Sequence, residues 1–293
     1  MRDAGLALHA QNRGRHRRDR LATAAMLLAV VLTLAPLAWV LAYVSAQGLK
    51  FLGPRFLAET PPGSPAAAGG GFYNGIIGTF EVVGIAMALA APIGILTAVY
   101  LVEYGRGRAA GVIRFVTDVL VGIPSIVVGA FIYAAWVLRF GFSGFAGSLS
   151  LAVVVLPLVV RSSEEMLKLV PSSLREASYA LGIPRWKTIM RVVLPTAGAG
   201  ITTGVMLALA RAAGETAPLL LTALGNDLFV EYNPTERMST LSLLIFGNAI
   251  SGFRAAQARA WAGALTLIMM VLVLTITARV LGARRDRSLR QSM

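Results

Sequence analysis

Between Pro171 and Pro195 the chain reads PSSLREASYALGIPRWKTIMRVVLP, a charged island with long apolar sequence on both sides. Pro171 can open a helix, Gly182 can close it in a left-handed C-terminal cap, and Pro184 can open a second helix at its first position. Two short helices joined at a glycine are expected. Leu174, Ala177, Tyr179 and Leu181 mix with Arg175, Glu176, Arg185, Trp186 and Lys187, a surface too polar for lipid and too apolar for plain solvent. Such a surface suits docking of a soluble partner; a helix pair resting on a membrane through its basic residues is the alternative.

Working outward, runs of about 20 apolar residues, the length that spans a bilayer, fall at 21–46, 74–102, 112–138, 146–161, 196–224 and 259–281. With 56% hydrophobic and 14% charged residues, against roughly 25% charged in a soluble domain, and mean hydropathy +0.71, a water-soluble fold is excluded. The expected fold class is an all-α integral membrane protein of six transmembrane helices. Val44-Ser45-Ala46 imitates a signal-peptidase site, but a cleaved apolar region runs roughly 7–15 residues and this run is nearly twice as long, so the first span is expected to remain as an anchor.

Lys and Arg set the orientation. Twenty of the 27 lie in 1–20, 103–114, 161–195 and from Arg279 onward, six in the alternate connections, and Arg211 inside the fifth span. Both termini are expected in the cytoplasm and the chain in the plasma (inner) membrane. The net charge of +13 therefore reports topology and lipid contact, and no nucleic acid is expected as a partner. The connection 58–75, with Pro61, Pro62, Pro65 and Gly69-Gly70-Gly71, is expected to be a flexible loop. The second half of 225–258 reads as a short helix, either lying at the outer surface or packed on the bundle.

Cys 0 and two His, both near the N-terminus, leave nothing for a disulfide or a zinc site. No G-x-x-x-x-G-K-[ST], G-x-S-x-G or H-E-x-x-H string occurs. No catalytic residue, no metal and no cofactor is expected on this chain.

Arg211 lies sixteen residues beyond Pro195, about 24 Å along a helix, which puts it near the middle of a roughly 30 Å hydrocarbon core. A charge there costs about 2.5–3.5 kcal/mol on insertion scales and needs a partner or a task. Glu215 follows at i+4, on the same helix face. The two either neutralise each other, or Arg211 forks onto a permeating anion, since guanidinium geometry matches phosphate oxygens. Glu215 would then orient Arg211 or accept a hydrogen bond from a protonated phosphate, which sulfate cannot donate. Ser125, behind Pro124, is a hydroxyl donor to the anion or a kink filler, and Thr216 carries the same two readings. Glu81, early in the second span near the outer face, and Asp118, near the inner end of the third, read as snorkelling or hydrogen-bonded structural carboxylates.

Glu176-Ala177-Ser178, Gly182 six residues after Glu176, and Leu194-Pro195 twelve after Gly182 resemble the E-A-A loop of bacterial ABC importer permeases, with Ser178 and Val192 as departures. Ala210-Arg211-Ala212-Ala213-Gly214-Glu215-Thr216-Ala217-Pro218 is similar to the R-A-x-G-E-T-x-P signature of A-type membrane subunits of bacterial Pst phosphate importers. Gly122-Ile123-Pro124-Ser125-Ile126-Val127 and Trp261-Ala262-Gly263-Ala264-Leu265 extend the likeness over about 74–281.

The resemblance implies a type I (MetI-like) permease fold. It divides the chain into a basic tail 1–20, a first span 21–46, an external loop 47–73, a permease core 74–281 with coupling helices at 171–195, and a basic tail 282–293. It also implies a phosphate pathway through Arg211, Glu215, Thr216 and Ser125, and ATPase coupling through Glu176, Ala177, Ser178, Gly182, Leu194 and Pro195. The implied partners are a C-type permease subunit in a heterodimer, two PstB-type ATPase subunits that bind ATP and Mg, and a PstS-type extracytoplasmic phosphate-binding protein. A permease for sulfate or molybdate, an ion-gradient-driven transporter and a membrane enzyme are the rival readings.

Overall fold

In a computed structural model, residues 2–105 and 107–291 are described, and all regular structure among them is helical. Arg106 of the predicted basic connection, and parts of both predicted tails, lie outside the described residues. The chain divides into two units, one up to Gln47 and one from Gly48. The first is a single helix, α1 (Arg2–Gly48). Its apolar stretch, with Leu21, Met26, Leu34 and Trp39 exposed, has the all-round hydrophobicity of a lipid-facing span.

The second unit holds α2 (Pro54–Ala58), α3 (Tyr73–Val99, continued by a π-turn Tyr100–Tyr104), α4 (Arg108–Gly122), α5 (Ser125–Ile132) and α6 (Leu138–Phe140). It continues with α7 (Gly144–Lys168), α8 (Ser172–Ala180), α9 (Arg185–Thr188), α10 (Leu194–Gly214), α11 (Ala217–Leu220), α12 (Leu241–Ala249) and α13 (Arg254–Gln291). Five helical runs are long and apolar enough to span a membrane, and Arg108–Gly122 with Ser125–Phe140 makes a sixth as a bent pair.

That pair goes beyond a kink at Pro124 in the single third span expected over 112–138. The two arms meet at 103°, because Ile123 and Pro124 are extended (ψ 128° and 133°). Proline has no N–H to continue the ladder and pushes the residue before it out of the helical region. At 15 residues, α4 reaches about 22 Å, short of a roughly 30 Å core. The fifth span also differs: α10 stops at Gly214, because Glu215 is extended (φ −71°, ψ 132°), and the chain resumes as α11.

The core lies between α3 and α7, where Val82, Ala86 and Ala90 meet Leu151, Val155 and Val159, with Ala208 and Ala212 of α10 against them. In lipid, helices gain little from leaving their surroundings, and close van der Waals approach does most of the work. Gly94 supplies it: a Cβ there would come within 2.7 Å of Val159 Cγ1. Gly78 lies tighter still against the Ser239 carbonyl.

The 58–75 connection is ordered, against expectation. Arg259 of α13, 4% exposed, donates to the carbonyls of Ala67 (2.6 Å), Pro65 (2.9 Å) and Gly69 (3.3 Å). Proline and glycine composition gives no sign of a guanidinium 190 residues away that collects the loop's carbonyls. Of the two readings of the later segment, α12 takes the packed one: Leu241 and Leu244 are buried, and Leu241 N–H donates to Thr79 Oγ1 at 2.8 Å. Nearby, the Tyr232 phenol is pushed above the usual tyrosine range, first by its hydrogen bond with Tyr73, then by desolvation and the negative charge of Glu81.

Candidate functional site

Two regions hold the residues singled out from the sequence. The first is the break between α10 and α11. Arg211 sits in the last turn of α10, where a cation is favoured by the helix dipole. Its Nε donates to Glu215 Oε1 at 3.2 Å. The pair forms although the helix has ended, because the extended Glu215 brings its carboxylate back over the final turn. The arginine side chain is 58% exposed and the glutamate 15%. Among the described residues the Nη groups of Arg211 have no hydrogen-bond partner. One edge of the fork is therefore anchored and the other is free.

A small cavity of about 50 Å³ adjoins Arg211, walled by Leu120, Val121 and Ile123 of the α4–α5 bend and by Val154 and Leu158 of α7. The two helix breaks are thus brought together. Contact between α5 and α11 is close: a Cβ at Gly129 would lie 2.7 Å from Pro218 Cα. Ser125, Glu215 and Thr216 are partly buried and are not among the residues lining this cavity. Ser125 opens α5, its hydroxyl unpaired among the described residues. Thr216 precedes α11, and its carbonyl accepts from Leu219 N (3.1 Å) and Leu220 N (3.2 Å). Ser242 of α12 donates to the Glu215 carbonyl at 2.9 Å and fixes the break.

The second region is the α8–α9 loop. Its turn is a complete Schellman motif: Ile183 N donates to Ser178 O (3.2 Å) and Gly182 N to Tyr179 O (2.9 Å), with Gly182 at φ +72°. Pro171 and Pro184 stand at the N-cap, one residue earlier than the helix positions expected for them. The two helices are clipped together by the Ser178 and Thr188 hydroxyls at 2.8 Å, both buried. Glu176, Ala177 and Gly182 face outward, beside exposed Leu174, Tyr179, Leu181 and Trp186. Leu194 and Pro195 open α10, the proline in its first turn.

Several ion pairs escaped the sequence reading. Glu164, almost fully buried, takes Arg114 Nε at 2.8 Å and Lys168 Nζ at 2.8 Å. Asp118 pairs with Arg161 at 3.0 Å. Glu103, also buried, takes Arg175 at 2.8 Å. Glu164 to Lys168 is an i,i+4 spacing that the sequence does carry; the cross-helix pairs leave no local trace. Among the described residues, Glu81 keeps one buried carboxylate oxygen without a hydrogen-bond partner. Among the described residues no group of His, Cys, Asp or Glu could hold a metal ion.

The family model described as binding-protein-dependent transport system inner membrane component matches residues 90–290. The phosphate transport system permease protein PstA 1 of Mycobacterium tuberculosis is 41% identical, over 92% of this chain and 90% of its own length. The protein PstA of Yersinia pestis is 42% identical, over 92% of both. Among solved structures, a bacterial alginate ABC transporter chain superposes with a TM-score of 0.67 at 16% identity, covering 92% of this chain and 96% of its own. A MetNI methionine ABC transporter chain does so at 0.53 and 18%, covering 74% and 93%. These two share the fold.

Proposed function

The chain belongs to the family of binding-protein-dependent transport system inner membrane components, and from that premise we propose that it forms half of a phosphate pathway in an ATP-driven importer. It is a multi-pass permease of the inner membrane and a transport subunit rather than an enzyme. Curated relatives at 41–42% identity carry the phosphate permease name, which favours phosphate over sulfate, molybdate or a gradient-driven mechanism.

In this reading both termini are cytoplasmic, a C-type permease completes the pathway, and a phosphate-binding protein delivers the ion from outside. Two ATPase subunits, which hold ATP and Mg, seat against α8 and α9. Glu176, Ala177 and Gly182 lie in the docking surface. Ser178 sets the angle between the two helices from beneath, and Leu194 and Pro195 carry the movement into α10.

The observation that supports the pathway is the half-anchored fork of Arg211. Glu215 holds Nε, and the free Nη edge offers two parallel donors to an oxyanion. Glu215 serves a second purpose as acceptor for a phosphate O–H, and Ser125 and Thr216 supply hydroxyls beside the breaks. Binding must stay weak enough for release, which a single exposed guanidinium satisfies. Uptake of radiolabelled phosphate by cells carrying Arg211→Ala tests the pathway: loss with normal membrane levels is expected, and unchanged uptake refutes it. Glu215→Gln is expected to narrow the preference for phosphate over sulfate; an unaltered preference removes the acceptor role.

A further inference from the structure

The π-turn Tyr100–Tyr104 at the end of α3 receives three cations from three helices. Arg175 of α8 places Nε at 2.9 Å and Nη2 at 2.8 Å from Glu103 Oε1. The guanidinium of Arg185 in α9 stacks over the Tyr104 ring, 4.6 Å from its centroid. Arg114 of α4 donates from Nη2 to the Leu101 carbonyl at 2.9 Å. Arg175 also donates to Leu167 O (3.1 Å) in the last turn of α7 and to Val170 O (2.6 Å) just beyond it. Glu103 is 3% exposed and Arg175 17%, so the contact is sheltered from the water that weakens surface pairs. π-turns are rare and interrupt the regular helical ladder, and this one leaves both a side chain and a carbonyl for neighbours to grip.

We propose that this π-turn is the receiving end of the coupling loop: Arg175 and Arg185 fasten α8 and α9 to the end of α3, and Arg114 passes their displacement into α4. This rests on the reading that α8 and α9 dock an ATPase. The route has a destination. From Arg114, α4 leads on to Leu120 and Val121 and to Ile123 just past its end, which wall the cavity beside Arg211. A push on the docking helices thus reaches the bend opposite the anion site through three guanidinium contacts and one helix. Arg175 and Glu103 are positioning residues; neither is among the residues of the Arg211 pocket.

The test uses the assembled transporter in lipid nanodiscs. The chain has Cys 0, so cysteine spin labels at exposed Ser172 of α8 and Leu96 of α3 report their separation. One narrow distance, unchanged by ATP, is expected in the parent, and a distance that broadens or shifts with ATP in Glu103→Gln. In proteoliposomes, phosphate imported per ATP hydrolysed should fall about ten-fold in Glu103→Gln, within the roughly 5–150-fold span of coupling between sites, with the ATPase still co-purifying. If Glu103→Gln fails to assemble, Arg175→Lys, which keeps the charge and loses the fork, is read in the same way. A parent distance that changes with ATP, or a variant that matches the parent in both readouts, overturns the proposal. The distance readout is independent of the solute carried, so a parent that imports no phosphate indicts the substrate alone. A parent that retains no ATPase overturns the docking reading and this inference with it.

Discussion

Replacing Arg259 by Met keeps an unbranched stem of similar reach and removes the guanidinium that gathers the 58–75 loop. Two of its bonds are short, 2.6 Å to Ala67 O and 2.9 Å to Pro65 O; those to Gly69 O (3.3 Å) and Asn248 Oδ1 (3.4 Å) are marginal. Hydrogen bonds to a charged group are worth about 1.5–3 kcal/mol each, so the two good ones give roughly 3–6 kcal/mol gross. About half is returned, because methionine carries no charge to dehydrate at a site 4% exposed. Loop opening should become easier by roughly 1.5–3 kcal/mol, a factor of about 10–150. Elastase, whose specificity pocket accepts small side chains, reads this at Ala66-Ala67-Ala68, since cleavage of a transiently opened segment tracks its open population. The rate constant should rise by about that factor, while the melting temperature of the bundle changes little. Equal cleavage rates in parent and variant would refute the clamp.

Gly182→Ala places a Cβ at φ +72°, a strain of about 1–2 kcal/mol; with open space around it, the chain should still insert, and the amount of ATPase recovered in a detergent pull-down should drop. Thr188→Val strands the buried Ser178 hydroxyl at a cost of about 1–2 kcal/mol, while Ser178→Ala leaves Thr188 its long bond to Pro184 O (3.4 Å) and should cost less; the double variant should be milder than the sum of the two, as a double-mutant cycle of thermal stability would register. Gly94→Leu drives a side chain into Val159, whose Cγ1 already lies 2.7 Å from the position of a Cβ, and should lower stability by at least about 1–3 kcal/mol, measured as a fall in detergent melting temperature.

Hydropathy made the spans legible, because the bilayer demands long apolar runs whatever their partners. It could not resolve the α4–α5 bend: a proline inside an apolar run signals a kink, while the 103° angle depends on Ile123 also being extended. The pairing of Arg211 with Glu215 was readable from i+4 spacing, yet it survives for a different reason, since Gly214 ends the helix and an extended residue returns the carboxylate. The convergence on Tyr100–Tyr104 was illegible. Its partners stand 13 and 72 residues apart in sequence, on helices whose relative placement comes from packing.

The two breaks explain why a polar side chain sits where it does. Non-helical backbone at membrane depth is tolerated where protein buries it or where it lines a watered cavity. Here part of the backbone is already paired: Ile123 N reaches Leu120 O (3.3 Å), Val127 N reaches Pro124 O (2.9 Å) and Glu215 N reaches Ala212 O (3.3 Å). The Glu215 carbonyl is taken by Ser242 and that of Thr216 by the first turn of α11. Beside Arg211 the effect of the breaks is steric. Ending α10 at Gly214 and bending the α4–α5 pair opens space beside Arg211, and the free Nη edge of that side chain is then the strongest donor facing it.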